Sequence, residues 1–291
     1  MLARYLCGAR IESPPCRVGG VRRCPLNYLV WCAAVVLSLA AALPAQVDTP
    51  QLIRASVAAT EADWKRAPDY SYTERDENRK DGEASSKTYR VSMIDGSPYS
   101  RLIAVDNEPL SPQQQKEQQE KLQVEIARRA SESPQSRAKR VEQYQKGRQR
   151  MFALLGDMAD AFHFERAGEQ VVAGHQTDVL RATPRPGFVP QSRVTKILTG
   201  MQGTLWIDKD SHRWVKVEAE AVKPVWMGWV FAKVLPGTRF LLAQSAIDKD
   251  LWLPQHFSVQ VKLRILVWQR DLTYTETYWD YHLGGAERWQ E

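Results

Sequence analysis

The side chains in this sequence that could bind a metal or carry catalysis are widely scattered. The histidines share no close spacing of the H-E-x-x-H kind, which places two ligands on one helix face. We interpret each as a surface or strand-end histidine and predict no metal site and no cofactor. A Ser-His-Asp site assembled from distant positions remains possible, so a secreted hydrolase is one alternative function. The five histidines are His163, His175, His212, His256 and His282.

Two pairs of aspartates have spacing that could suit paired acid and base catalysis. Asp208/Asp210 and Asp248/Asp250 both fall in predicted hairpin turns, where an aspartate side chain accepts hydrogen bonds from nearby backbone groups. The chain also has no G-x-S-x-G turn, no P-loop and no glycine fingerprint for a dinucleotide. We therefore predict a protein that is not an enzyme and has no catalytic residue.

The N-terminal segment carries the sequence features of export. Arg22 and Arg23 precede an uncharged apolar stretch of about 16 residues, and small residues follow up to Ala45, which is the order of a secretory signal. Such a stretch is shorter than the roughly 20 residues that span a bilayer. We expect cleavage after Ala45 and an exported protein; the alternatives are cleavage after Ala42 and an uncleaved anchor. Residues 1–20 fit a signal poorly, which suggests a misassigned start.

Removing this segment changes the composition of the working protein. Residues 1–45 contain all four cysteines, five of the 40 basic residues and one of the 34 acidic residues. The remaining chain has no thiol and no disulfide, and it is close to neutral. We expect residues 46–291 to form a single domain, since β-rich folds of this length are often undivided.

The elements that must position these residues are mostly strands. Thr49 to Arg66 has the pattern of a first helix, and alternation predicts strands from Tyr70 onward. Thr204–Asp208 and Arg213–Ala221 form a predicted hairpin. Phe257 to Val267 places apolar residues on one face and polar residues on the other, which indicates an antiparallel sheet. Leu272 to Tyr281 is its expected partner strand.

Residues 111–160 differ from the rest and predict a charged helical insert. Between 112 and 150 there are ten Lys or Arg and five Glu residues, with a break at Ser133-Pro134, so we expect two helices. A solvated face is the simplest interpretation. The functional alternative is contact with anionic lipid or with an acidic envelope protein, and we expect no nucleic acid partner.

The segment 225–232 is apolar throughout and too short to cross a membrane. It contains Trp226 and Trp229, and large exposed apolar patches are uncommon on soluble monomers. Three interpretations stay open: burial in the core, a lining at the mouth of a lipid-sized cavity, and contact with a membrane or protein.

Several motifs together resemble a known group. They are Gly203-Thr204-Leu205-Trp206-Ile207-Asp208 at the start of a hairpin, Trp252-Leu253-Pro254 before the long alternating strand, and Tyr278-Trp279-Asp280-Tyr281 near the end. With the signal segment and first helix, they resemble long bacterial variants of the LolA/LolB-like periplasmic outer-membrane lipoprotein-sorting superfamily. The resemblance implies an α+β fold: a strongly curved antiparallel sheet, or half-open barrel, with helices covering its concave face. It also implies that the hollow between them holds acyl chains.

This resemblance leads to a functional hypothesis. We expect a non-enzymatic carrier or binding protein of the periplasm that holds an acyl chain or a lipidated protein in an apolar cavity. An envelope scaffold with a filled core and no ligand is the alternative. The expected lining residues point inward by alternation, with Trp226 and Trp229 at the mouth. They are Tyr89, Val91, Met93, Trp206, Trp226, Trp229, Phe257, Val259 and Val261.

Overall fold

The alternating segments of the chain form strands of one sheet in the computed structural model. The structure describes residues 48–80, 83–192, 195–226, 232–265 and 268–284. They belong to one compact unit, Val47–Glu291. The expected signal segment 1–45, Val267 and Trp229 lie outside the described residues.

Three α-helices occur among the described residues. Helix α1 spans Thr49–Arg66, α2 spans Pro112–Ala130 and α3 spans Pro134–Ala161. Short 3-10 helices follow at Ala67–Asp69 and Thr195–Gly200. The two helices of the predicted insert are confirmed, with the break at the expected position. None of the described helices combines the length and the apolarity that a bilayer-spanning helix needs.

The strands are named β1 to β13 in chain order. They are β1 Tyr70–Lys80, β2 Glu83–Ile94, β3 Ser97–Val105, β4 Glu108–Pro109, β5 Phe162–Val172, β6 His175–Pro184, β7 Met201–Asp208, β8 Trp214–Ala221, β9 Val225–Trp226, β10 Ala232–Val234, β11 Arg239–Asp248, β12 Leu251–Ile265 and β13 Trp268–Leu283.

All paired strands are antiparallel, and the sheet does not close on itself. The order is β4-β3-β2-β1-β13-β12-β11-β8-β7-β6-β5, and the β9–β10 hairpin joins β12 through β10. The predicted pairing of the last two strands is confirmed, since Val259 lies opposite Tyr274. The predicted hairpin is confirmed as β7–β8, where a side chain on Gly203 would collide with the carbonyl oxygen of Glu218. The predicted fold class is therefore correct: α+β, with an unclosed antiparallel sheet and a helical insert.

Helices cover one face of this sheet, which we call the covered face. Leu52 and Ile53 of α1 and Leu155 of α3 pack against strand residues that share this face, and almost no solvent reaches them. Burial of such side chains contributes about 1.5 to 3 kcal/mol each. The buried strand residues of this core include Leu180, Leu205, Ile207, Trp214, Val217 and Leu242.

Buried polar contacts fix helix α1 to the sheet. Asp63 is 2% exposed and accepts two hydrogen bonds from the Arg213 guanidinium, the shorter of which is 2.6 Å. The Trp214 indole donates to the Ser56 hydroxyl at 3.0 Å. Because buried polar groups without partners are costly, these pairs select a single position for the helix.

Arginines fix the helical insert to the β2–β3 turn. Arg129 of α2 is 7% exposed and donates to the carbonyl oxygens of Ile94, Ser97 and Pro98 at 2.7, 2.8 and 3.3 Å. Arg140 of α3 donates to the Ser97 hydroxyl at 2.7 Å and pairs with Glu132. Two of the ten basic residues that the sequence places in the insert therefore hold the insert in position.

Candidate ligand-binding cavity

A cavity of about 660 Å³ lies between helix α3, the end of α1 and the covered face of the sheet. Its walls are mainly aromatic rings, methionines and aliphatic side chains, and this volume is in the range of small-molecule sites. The helical wall is made by Trp64, Tyr144, Arg148, Arg150, Met151, Phe152, Leu154, Leu155 and Met158. The sheet wall includes Tyr70, Tyr72, Val91, Met93, Trp214, Val217, Phe240, Leu242, Leu253, Phe257, Glu276, Tyr278 and Tyr281.

The cover of the cavity is tied to the end of helix α1. Arg148 donates to the carbonyl oxygens of Trp64 and Lys65 at 2.9 and 3.3 Å. Its guanidinium also lies 5.7 and 5.3 Å from the ring centres of Tyr144 and Phe152, close enough for a cation–π contact. The Trp64 carbonyl also accepts from the backbone N–H of Ala67, so Arg148 adds a second donor there and connects α3 to the last turn of α1.

Three of the residues expected to line a cavity do line this one. Val91 and Met93 reach it from β2, and Phe257 reaches it from β12. Val91 is 3% exposed and lies opposite Tyr72 of β1, which is also in the wall.

Three others share the covered face but lie outside the cavity wall. Val259 and Val261 follow Phe257 at two-residue intervals, so their side chains point the same way. Tyr89 is opposite Glu74, which is itself next to the cavity wall. These three side chains therefore lie on the face that alternation assigns to them, but the cavity ends before it reaches them along their strands.

The tryptophans lie elsewhere. Trp206 lies on the opposite face, where its ring packs with Val215 and Trp252 and its indole donates to Gln170 at 2.8 Å. The reason is the alternation of β7, in which Leu205 and Ile207 take the covered face. Trp226 is 51% exposed beside Lys233 and does not line the cavity.

A group of carboxyl side chains that the sequence analysis missed lies at the sheet wall. Glu74 and Asp76 of β1 and Glu276 of β13 each place an oxygen within 4.8 Å of the others. Glu276 lines the cavity and accepts hydrogen bonds from the hydroxyls of Tyr274, at 2.5 Å, and Tyr278. We call these three residues the carboxyl cluster.

The surroundings of the carboxyl cluster disfavour full ionisation. Burial raises the pKa of Glu74 to about 8, and a hydrogen bond to Asp76 and the charges of Asp76 and Glu276 act in the same direction. Burial beside these acids also raises the pKa of the Tyr278 and Tyr72 hydroxyls. At neutral pH, Glu74 therefore holds a proton that it can share with Asp76.

The raised pKa of Glu74 predicts a specific dependence of stability on pH. An unfolded glutamate titrates near 4.5, so the folded state binds the proton more tightly than the unfolded state. Protonation of Glu74 therefore adds to the free energy of unfolding at low pH, and this addition is lost as pH rises from about 4.5 through about 8. Glu74→Gln should flatten this decline, which we expect to amount to a few kcal/mol. Urea unfolding at several pH values measures it. Glu77→Gln on the same strand is the control, and an equal effect of both changes would contradict the prediction.

One Ser-His-Asp group meets in the structure, in an order that does not suit catalysis. Asp208 Oδ2 accepts from the Ser211 hydroxyl at 2.7 Å, and Asp208 Oδ1 lies 3.3 Å from His175 Nδ1. The aspartate therefore separates the serine from the histidine, whereas a nucleophilic serine needs the histidine as its base. Asp208 also accepts from the Ser211 backbone N–H, the turn role expected from the sequence.

No family model matches the sequence, and no curated protein matches it. Solved structures similar to this chain include an outer membrane lipoprotein-sorting protein domain from Vibrio parahaemolyticus, with 12% identity, a TM-score of 0.35, and 81% of this chain and 96% of that chain covered. A DUF1329 family protein from Desulfovibrio piger has 12% identity and a TM-score of 0.32, and the similarity covers 82% of this chain and 95% of that chain. The LolA superfamily protein NE2245 from Nitrosomonas europaea has 13% identity and a TM-score of 0.31, with 81% and 95% covered. These structural neighbours include members of the superfamily that the sequence motifs resemble.

Proposed function

We propose that this chain is a non-enzymatic periplasmic binding protein that holds an acyl chain, free or attached to a protein, in the cavity under helix α3. The observation that supports this most directly is the cavity of about 660 Å³ with an aromatic and methionine-rich wall. Methionine side chains adapt to flexible apolar ligands. The alternative of a scaffold with a filled core would not require such a space.

The expected affinity follows from burial of the chain. Each buried methylene contributes about 0.8 kcal/mol, so about ten methylenes give on the order of 8 kcal/mol before ordering costs. Met151 of α3 lines the cavity and is 48% exposed, so it lies where the cavity meets solvent.

The helical insert adds a second part to the proposal, contact with anionic lipid or an acidic envelope protein. Lys116, Lys121, Lys139 and Arg150 are exposed, and they form no ion pair with another described residue. Arg128, Arg129, Arg140 and Lys146 are instead paired with glutamates of the insert. The free positive charge available for a partner is thus smaller than the composition of 112–150 indicates.

Organic extraction and mass spectrometry of the purified protein test the main proposal. We expect a co-purified acyl lipid, or binding of an added fluorescent fatty acid ester when the protein has been stripped of lipid. Unlabelled ester should displace the fluorescent one with one site per chain. If no lipid is recovered and no ester binds, the protein is not an acyl-chain carrier, and the scaffold alternative takes its place.

A further inference from the structure

We infer that the cavity prefers amphiphiles with a cationic head group over anionic ones of the same chain length, with the head group against the carboxyl cluster. This inference rests on the proposed function and adds the class of ligand. The cavity and the cluster share Glu276, which lines the apolar space and also contacts the other two acids.

The first support is the negative charge of the carboxyl cluster on the sheet wall; the two arginines that line the cavity, Arg148 and Arg150, belong to the helical wall. Glu74, Asp76 and Glu276 form no ion pair with a lysine or arginine among the residues that the structure describes. Asp76 Oδ1 is shielded from solvent and has no hydrogen-bond partner there. A shielded carboxylate oxygen without a donor is costly, and a ligand that brings positive charge removes this cost.

The second support is the aromatic wall around the acids. The rings of Tyr72 and Tyr278 lie 5.8 Å apart at 65°, and those of Tyr72 and Tyr281 lie 5.4 Å apart. All three line the cavity. Ring faces attract ammonium groups, and a wall that combines tyrosines with carboxyls suits a quaternary ammonium better than a carboxylate or phosphate.

The groups that face Glu74 determine how pH acts on this site. They are Tyr72 and Asp76 on β1, Lys87 and Tyr89 on β2, and Glu276 and Tyr278 on β13. Lys87 is exposed to solvent. From the helical side, α3 contributes the side chains of Tyr144, Arg148 and Arg150 to the cavity wall. The Arg148 guanidinium donates to the carbonyl oxygens of Trp64 and Lys65 at the end of α1 and forms no ion pair with the three acids.

Proton release follows from this arrangement. Glu74 is protonated at neutral pH because burial raises its pKa to about 8. A bound cation favours the ionised form, so binding should release this proton, and affinity for a permanent cation should rise between about pH 6 and about pH 9. Affinity for a neutral amphiphile should stay constant over the same range.

Isothermal titration of the purified protein with three decyl probes tests the inference. Decyltrimethylammonium should bind about tenfold or more tightly than decanoate, with 1-decanol between them. An Asp76→Asn/Glu276→Gln double variant should lose this preference and keep its affinity for 1-decanol. Glu77→Gln, on the same strand and outside the carboxyl cluster, is the matched control.

The outcomes separate the inference from the function on which it depends. Equal or tighter binding of decanoate, as expected if the head group contacts Arg150 instead, overturns the charge preference and leaves the carrier proposal intact. Failure of 1-decanol to bind at all overturns both. The wild-type comparison needs no variant, so a folding defect in the double variant does not affect it.

Discussion

Val91→Trp is expected to weaken acyl-chain binding about a hundredfold while changing the free energy of unfolding by less than about 1 kcal/mol. Val91 is 3% exposed and lines the cavity, so an indole at this position can occupy space that the ligand would otherwise fill. Displacing about four methylenes of the ligand removes about 3 kcal/mol, which is roughly a hundredfold in affinity. Titration with a fluorescent ester and urea unfolding measure the two quantities.

The same substitution at Val215 is the control. Val215 is 2% exposed, but it packs between Trp206 and Trp252 on the opposite face, away from the cavity. Extra volume in a filled core costs about 1 to 3 kcal/mol, so Val215→Trp should destabilise the protein and leave ligand affinity unchanged. If Val91→Trp is destabilising to the same extent, the space under α3 is filled by side chains and the scaffold alternative is correct.

Arg129→Met should destabilise the protein by about 3 to 5 kcal/mol, the cost of breaking a buried charged network. The change leaves the carbonyls of Ile94 and Ser97 without their donor and leaves Glu125 without its buried partner, which lies 2.5 Å away. Urea denaturation followed by far-ultraviolet circular dichroism measures the loss.

Arg128→Met is the matched control, because Arg128 pairs with the same Glu125 while its side chain is 50% exposed. Exposed pairs contribute about 0 to 1 kcal/mol, so we expect a small effect. Hydrogen bonds from the Arg128 and Arg129 side chains, with the nearby positive charges, lower the pKa of Glu125 to about 2. This contribution is present above about pH 4.5 and is lost as pH falls toward 2. Equal losses for both variants would show that Arg129 does not fix the insert.

The sheet could be predicted because alternation of apolar and polar residues identifies each of its strands without reference to the neighbouring strands. Phe257, Val259 and Val261 define one face, and their strand pairs as expected with the segment around Tyr274. The insert was predictable because Ser133-Pro134 separates two charged segments, and Ser133 indeed precedes α3. Local patterns of this kind need no information about distant residues.

The site was less predictable because distant pairings create it. Glu74 and Asp76 are spaced as neighbours on one strand face, a signal that was available, but nothing local places Glu276 beside them. Alternation divides the side chains of a strand into two sets on opposite faces, but it does not say which set faces the helices. Trp206 is predicted to face inward, whereas Leu205 and Ile207 take the covered face and Trp206 points to the opposite one.

The pairing of β1 with β13 has a consequence for how the protein becomes functional. These are the first and last described strands, nearly two hundred residues apart, and they meet in the interior of the sheet. The carboxyl cluster spans this junction, so the wall that would recognise a ligand exists only after the most sequence-distant contact has formed. Contacts of high sequence separation slow folding, and we expect ligand competence to be the last property that the chain acquires.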